Sequence, residues 1–245
     1  MSGYKYLFGP VPSRRLGASL GVSPIPERTC NYSCVYCQLG RTLRMTNTRQ
    51  EFFPLEEILA EFREYLRGSI PFDVVTVGEG EPTLYSRLGE LIAGLKKETD
   101  KPVAVITNGA LLYDAEMRRE LMEADIVLPS LDAVTEEQYR KIDRPMGSIG
   151  FAEMAEGLRQ FAREYQGQLW IEIMLVDGMN DSPEDIAAFK EFLGTIDYDR
   201  VYLNTPVRPP AEGFVHTSAP ERIDLAAREL GGISIDQLTS GSFFS

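Results

Sequence analysis

All three cysteines of this 245-residue chain lie within eight residues, Cys30-Asn31-Tyr32-Ser33-Cys34-Val35-Tyr36-Cys37, at the spacing C-x3-C-x2-C. A disulfide framework needs paired cysteines in a small secreted chain, and an odd count in a chain this long fits neither condition. A structural zinc site needs a fourth ligand; the single histidine, His216, is remote in sequence and there is no second cysteine pair. Three thiolates in one short loop can instead ligate three irons of a cubane [4Fe–4S] cluster and leave the fourth iron without a protein ligand. An open coordination position marks a reactive metal site, whereas a structural one is closed.

Such a loop needs a scaffold, and the length suffices for one large core in one domain. No apolar run approaches the ~20 residues of a membrane span. The opening Met1-Ser2-Gly3-Tyr4-Lys5-Tyr6 lacks the apolar centre of a signal peptide, so a cytoplasmic location is expected. With 37 acidic against 25 basic residues the net charge is −12, which disfavours a nucleic-acid partner, because phosphate contacts need clustered Lys and Arg. Arg41, Arg44 and Arg49, just after the cysteine loop, form a local basic stretch that is either solvated or able to meet an anion.

Along the chain, residues 9–17 read as a stiff, turn-rich approach. Ala18–Val22 reads as a first strand that Pro24 and Pro26 stop, placing the cysteine loop at its C-terminal end. A helix begins at Pro54, carries Leu55, Ile58, Leu59, Phe62 and Leu66 at helical spacing, and ends at Gly68. Then an alternation sets in. Strands over 72–77, 103–106, 126–131, 169–176 and 201–203 are separated by helices near 84–97, 114–123, 135–142, 151–165 and 183–193. Short β-branched strands alternating with amphipathic helices predict an α/β fold with a parallel sheet and helices outside. A closed eightfold barrel usually takes about 250 residues, so six repeats within 205 predict a partial, open (β/α)6 TIM-like barrel. The expected core is 1–210. The segment 211–245 is a short C-terminal extension with one helix over Pro220–Leu230 and an aromatic tail at Phe243 and Phe244, expected to plug the open side of the barrel.

Parallel crossovers bring every strand's C-terminal end to one rim, where ligands bind. The second strand runs into Gly78-Glu79-Gly80-Glu81-Pro82-Thr83, whose glycines allow close backbone approach to a ligand. The third ends in Thr107-Asn108-Gly109 and the fourth in Ser130-Leu131-Asp132, with period two placing Ser130 and Asp132 on one face. Glu172 and Met174 share a face of the fifth strand, and an acid in an otherwise apolar strand points to solvent or into a polar lumen.

The cysteine spacing, with Tyr36 directly before the third cysteine, resembles the signature of the radical S-adenosylmethionine (SAM) superfamily. The resemblance implies that Cys30, Cys34 and Cys37 hold a [4Fe–4S] cluster whose open iron is chelated by SAM. It implies reductive cleavage of SAM to a 5′-deoxyadenosyl radical that abstracts hydrogen from substrate, with an external one-electron reductant of the flavodoxin or ferredoxin type. Tyr36 then corresponds to a position near the adenine. Gly78, Gly80, Glu81 and Pro82 resemble the family's Gly-Gly-Glu-Pro motif, with Glu79 standing where the first glycine of the pair is expected. Thr107, Asn108, Ser130 and Asp132 resemble positions that bond the ribose and the methionine carboxylate. Met174 falls on the SAM side, and Glu172 and Glu79 are the candidate catalytic groups on the SAM or substrate side.

Pro12–Gly17, Gln38–Arg41, Asp143-Arg144-Pro145 and Leu203–Pro210 are similar to a subgroup of small iron–sulfur oxidoreductases often labelled wyosine-synthase-related. True wyosine synthases carry a second cluster, and this chain has no cysteines left for one. The expected substrate is a small metabolite or a peptide. Activation of a glycyl-radical enzyme, modification of a tRNA base, and a non-catalytic iron–sulfur redox or sensing role are the alternatives. His216 reads as a satisfied loop residue able to transfer protons.

Overall fold

The computed structural model describes residues 3–68, 70–235 and 238, which leaves the Phe243–Phe244 tail outside the described residues. Its centre is an eight-stranded sheet in chain order: β1 (Leu7–Ser13), β2 (Gly17–Val22), β3 (Val74–Val77), β4 (Val103–Thr107), β5 (Ile126–Pro129), β6 (Gln168–Met174), β7 (Arg200–Asn204) and β8 (Ile233–Ser234). Strands β2 to β8 run parallel, and β1 is antiparallel to β2. Among the described residues seven α-helices alternate with them: α1 (Leu55–Leu66), α2 (Leu88–Glu98), α3 (Ala115–Leu121), α4 (Glu136–Ile142), α5 (Phe151–Glu164), α6 (Pro183–Leu193) and α7 (Pro220–Leu230). Sequential parallel neighbours joined through helices form a mostly parallel, curled half-barrel, the predicted partial barrel.

Period-two alternation divides each strand's side chains between two cores. Val75, Val77, Val103, Val105, Ile171 and Ile173 face the helices and pack with stripes such as Ile58, Leu91 and Leu158. Val74, Ala104, Leu128, Trp170 and Tyr202 face inward and pack with Leu16 and Ile235, filling the base of the lumen. One step further along the same inward rows stand Thr76, Ile106, Ser130, Glu172 and Asn204, all lining a cavity. The lumen is therefore apolar at its base and polar at the carboxyl ends of the strands.

Residues 9–17 depart from expectation, since most of this stretch belongs to β1 rather than to a turn-rich approach. Val11, Pro12 and Ser13 pair with Ser19, Ala18 and Gly17 after a bulge. Prolines lack the N–H a central strand needs but are tolerated on an edge, and β1 is an edge strand. The helix expected over 84–97 is two elements, a 3-10 turn over Pro82–Leu84 and then α2. Glu81 makes the break, because its side chain caps that turn by accepting from Thr83 N at 3.1 Å. Strand β5 ends at Pro129, and Ser130 makes only an isolated bridge to Glu172.

The described part of the C-terminal segment extends the sheet at its last strand. Helix α7 packs on α6 and β7, and β8 adds a parallel strand beside β7. Ala226 and Leu230 are the buried pair of α7, and Ile223, Leu225 and Ala227 pack at the margin.

Candidate active site

One cavity of about 520 Å³ opens at the strand ends, within the range typical of cofactor and substrate sites. Cys30, Cys34 and Cys37 line it together with Tyr36. So do Gly78, Glu79, Gly80 and Glu81 after β3, Thr107 and Asn108 at the end of β4, Ser130 after β5, and Glu172 and Met174 of β6. Pro82 and Asp132 are outside the lining and act from behind it.

The cysteine loop is fixed by short local bonds. Thr29–Cys30 pairs with Arg44–Met45, and Cys37 N and Gly40 N donate to Cys34 O and Cys37 O at 3.2 and 3.1 Å. Cys30 Sγ accepts from Tyr32 N at 3.3 Å and from Asn108 Nδ2 at 3.6 Å. Burial and the Glu81 charge push the Cys30 thiol up to about 12, and burial with Asp143 raises Cys34 well above its ordinary value. Burial also raises Cys37, against backbone donors and the Arg28 charge. Burial and carboxylate neighbours thus disfavour the thiolates; bound metal would supply the missing countercharge, since a coordinating thiol is deprotonated outright.

The surroundings fit an iron–sulfur cluster. Thr29 Oγ1 and Asn31 Nδ2, on either side of Cys30, are buried and lack a protein partner among the described residues. A cubane takes each thiolate at a different iron, and the three thiols line one cavity.

Beside the cysteines the chain runs close. Gly80 sits at φ +72°, where a Cβ would come within 2.3 Å of Thr29 O, so only glycine lets this turn meet the cysteine strand. A Cβ at Gly78 would meet nothing nearer than Ile106 at 3.9 Å, leaving open space on the cavity wall. Glu79 also has positive φ, +74°, a conformation that costs a non-glycine residue about 1–2 kcal/mol.

Glu81 is 1% exposed and ties two strand ends together. Its Oε1 accepts from Thr83 N, Thr83 Oγ1 and Thr107 Oγ1 at 3.1, 2.5 and 2.6 Å, and Oε2 accepts from Asn108 N at 2.8 Å. Asn108 in turn donates from Nδ2 to Asn31 Oδ1 at 2.7 Å. Burial raises the Glu81 carboxyl, and these four donors oppose the rise.

Asp132 is buried behind the rim, where it accepts from the Tyr36 hydroxyl and from Met174 N. Burial lifts its carboxyl to about 6 against those two donors. It thereby fixes the ring of Tyr36, itself a lining residue. Glu172 pairs with Arg15 and accepts from Asn204 Nδ2 at 3.2 Å. His216 is exposed and outside the cavity.

The basic stretch after the cysteines is largely spent on internal partners. Arg49 donates to both oxygens of Glu120 and to two backbone carbonyls. Arg41 forms a two-bond fork with Glu212 at 3.0 and 2.8 Å, and Arg144 donates to the same carboxylate at 2.5 Å. Glu212 N also donates to Val35 O, so the C-terminal segment grips the cysteine motif itself.

Sequence reasoning missed Arg14, Arg15, Asn204 and Arg208 as lining residues. The signal was the group of three motif-like stretches at 12–17, 38–41 and 203–210, which all reach this cavity.

Residues 25–190 match the model of the Radical SAM superfamily. The chain belongs to that superfamily. It is an enzyme of the radical SAM class, and the superfamily's cofactors are a [4Fe–4S] cluster and SAM. The enzyme is 37% identical over 226 residues to a UPF0026 protein of Methanocaldococcus jannaschii, covering 91% of this chain and 69% of that one. It is 43% identical over 205 residues to a Brachyspira hyodysenteriae protein named GTPase Obg, where 83% of this chain covers only 30% of the relative. Among solved structures, a radical SAM methyltransferase from Sphaerobacter thermophilus superposes with TM-score 0.67 at 18% identity, covering 89% of this chain and 67% of that one. No helix among the described residues is long and apolar enough to cross a membrane.

Proposed function

We propose that Cys30, Cys34 and Cys37 hold the cluster and that the adjoining strand ends hold SAM. The observation that carries this assignment is that the three thiols and the ends of β3, β4, β5 and β6 line one cavity. When bound, the cluster and SAM supply one-electron cleavage of the sulfonium and hydrogen-atom abstraction from substrate.

The chain's own residues bind, orient and exclude water. Gly78 leaves room for a ligand on the cavity wall and Gly80 lets its turn close on the cysteine strand, while Glu81 holds Thr107 and Asn108 in place with Pro82 fixing the turn. Tyr36 offers an aromatic wall whose hydroxyl Asp132 anchors, and Ser130 and Met174 complete the SAM side. Glu172 and Glu79 face the substrate. Residues 1–210 are the catalytic core, and 211–245 is an extension that clips the cysteine loop through Glu212.

The substrate is a small metabolite or peptide, the reductant a flavodoxin or ferredoxin, and the compartment the cytosol. Anaerobic reconstitution, reduction with dithionite and addition of SAM tests the proposal. The expected result is 5′-deoxyadenosine, lost together with bound iron in Cys30→Ser, Cys34→Ser and Cys37→Ser. Full product formation by any of these variants would overturn the assignment.

A further inference from the structure

The three thiols do not have the same surroundings. Cys34 Sγ stands 3.8 Å from the Asp143 carboxyl, and Cys37 is served by the backbone of Leu39 and Gly40. Cys30 Sγ accepts from Tyr32 N at 3.3 Å and from Asn108 Nδ2 at 3.6 Å. Among the described residues it is the one thiol that a side-chain N–H reaches, and Cys30 and Asn108 both line the cavity.

The Asn108 amide is held in that orientation by its other partners. Its Oδ1 accepts from Ala110 N at 2.9 Å. A backbone N–H can only donate, so the amide oxygen faces Ala110 and the N–H₂ group is the end turned to the cysteine loop. From that end Nδ2 donates to Asn31 Oδ1 at 2.7 Å, and Asn31, next to Cys30 in sequence, is 0% exposed. Behind the side chain, Glu81 Oε2 accepts from Asn108 N at 2.8 Å. An asparagine amide carries two N–H donors, and two acceptors, Asn31 Oδ1 and Cys30 Sγ, lie within their reach. No N–H of this side chain is left for the carboxylate of SAM, the kind of contact that the resemblance gives to this position.

An N–H dipole aimed at a ligating sulfur stabilises the electron added to an iron–sulfur centre, and hydrogen bonds to the sulfurs help to set its potential. We propose that Asn108 is a positioning residue of the cluster: its amide donates to the Cys30 thiolate and raises the reduction potential, and it acts on SAM only through the cluster. This rests on the cluster assignment proposed above. It adds a residue that sets how readily the centre accepts an electron from the one-electron reductant.

Potentiometric titration of the anaerobic holoenzyme without SAM, followed by electron paramagnetic resonance of the reduced cluster, tests the proposal. Asn108→Ala removes the donor, and Asn108→Asp keeps an oxygen for Ala110 N while removing the N–H₂ group. Each should disfavour reduction about tenfold, a fall of about 59 mV for one electron. Wild-type enzyme labelled with nitrogen-15 only at its asparagine side-chain amides should show a hyperfine coupling to the reduced cluster, which a loosened loop alone does not create. Asn31→Ala, which keeps Asn108, should retain that coupling, so the assignment stands even where an Asn108 variant takes up no iron. A wild-type potential in either Asn108 variant overturns the proposal, and it gives the amide to SAM where SAM binding alone is weakened. No coupling in the labelled wild type, or its loss in Asn31→Ala, overturns it too. Failure of the wild-type enzyme to assemble a four-iron cluster would instead sink the assignment on which it rests.

Discussion

Replacing Glu81 tests how the strand ends of the proposed SAM site are held together. Its carboxylate accepts four hydrogen bonds from three residues on two strand ends while 1% exposed. Hydrogen bonds to a charged group contribute about 1.5–3 kcal/mol each, but the four do not add, because removing the carboxylate also removes its desolvation cost. Glu81→Ala strands two backbone N–H groups and two hydroxyls, for an expected loss of about 3–5 kcal/mol. Glu81→Gln keeps one carbonyl oxygen for the Thr83 and Thr107 side and turns an amide N–H₂ toward Asn108 N. The expected loss is about 1–3 kcal/mol, one bond and one unsatisfied donor. Urea unfolding of both variants measures these losses, and calorimetry on the holoenzyme measures SAM affinity. Affinity should fall in Glu81→Gln, because Asn108 is displaced from its bonds to Asn31 and Cys30. Wild-type stability and SAM affinity in Glu81→Gln would refute the reasoning.

Three further outcomes follow from the same geometry. Gly80→Ala drives a Cβ to 2.3 Å from Thr29 O at a positive φ, so iron incorporation should drop sharply while far-ultraviolet circular dichroism stays native. Glu79→Gly removes a left-handed non-glycine residue, so the chain should gain about 1 kcal/mol in urea unfolding while turnover falls. Arg41 and Arg144 hold the Glu212 carboxyl below its ordinary value of 4.5. The clamp's contribution is therefore full above that value and is lost as pH falls through the depressed one; the melting temperatures of wild type and Glu212→Gln should differ at neutral pH and converge in acid.

The sequence made the repeating architecture legible because each repeat is a local pattern. Helix α6 matched its expected bounds, 183–193, since Ser182 and Asp185 form a reciprocal cap and Pro183 opens the first turn. The cysteine loop was legible for the same reason. Strand β1 was not, because prolines that break a central strand are harmless on an edge. Nor were the partners of charged residues. Arg15 meets Glu172, and Arg41 meets Glu212, across more than 150 residues, a juxtaposition that only the folded chain creates. Asp132 shows the limit of period two, because the regular strand stops at Pro129 and the carboxyl serves Tyr36 from behind the cavity.

The central claim is that three cysteines hold a four-iron cluster with one iron left for SAM. Electron paramagnetic resonance of the dithionite-reduced holoenzyme, recorded before and after adding SAM labelled with nitrogen-15 at its amino group, tests it most directly. The account predicts one [4Fe–4S]⁺ signal per chain that shifts on addition and acquires a hyperfine coupling to the labelled nitrogen. A four-iron signal that ignores SAM, or none at all in iron-replete enzyme, would contradict it.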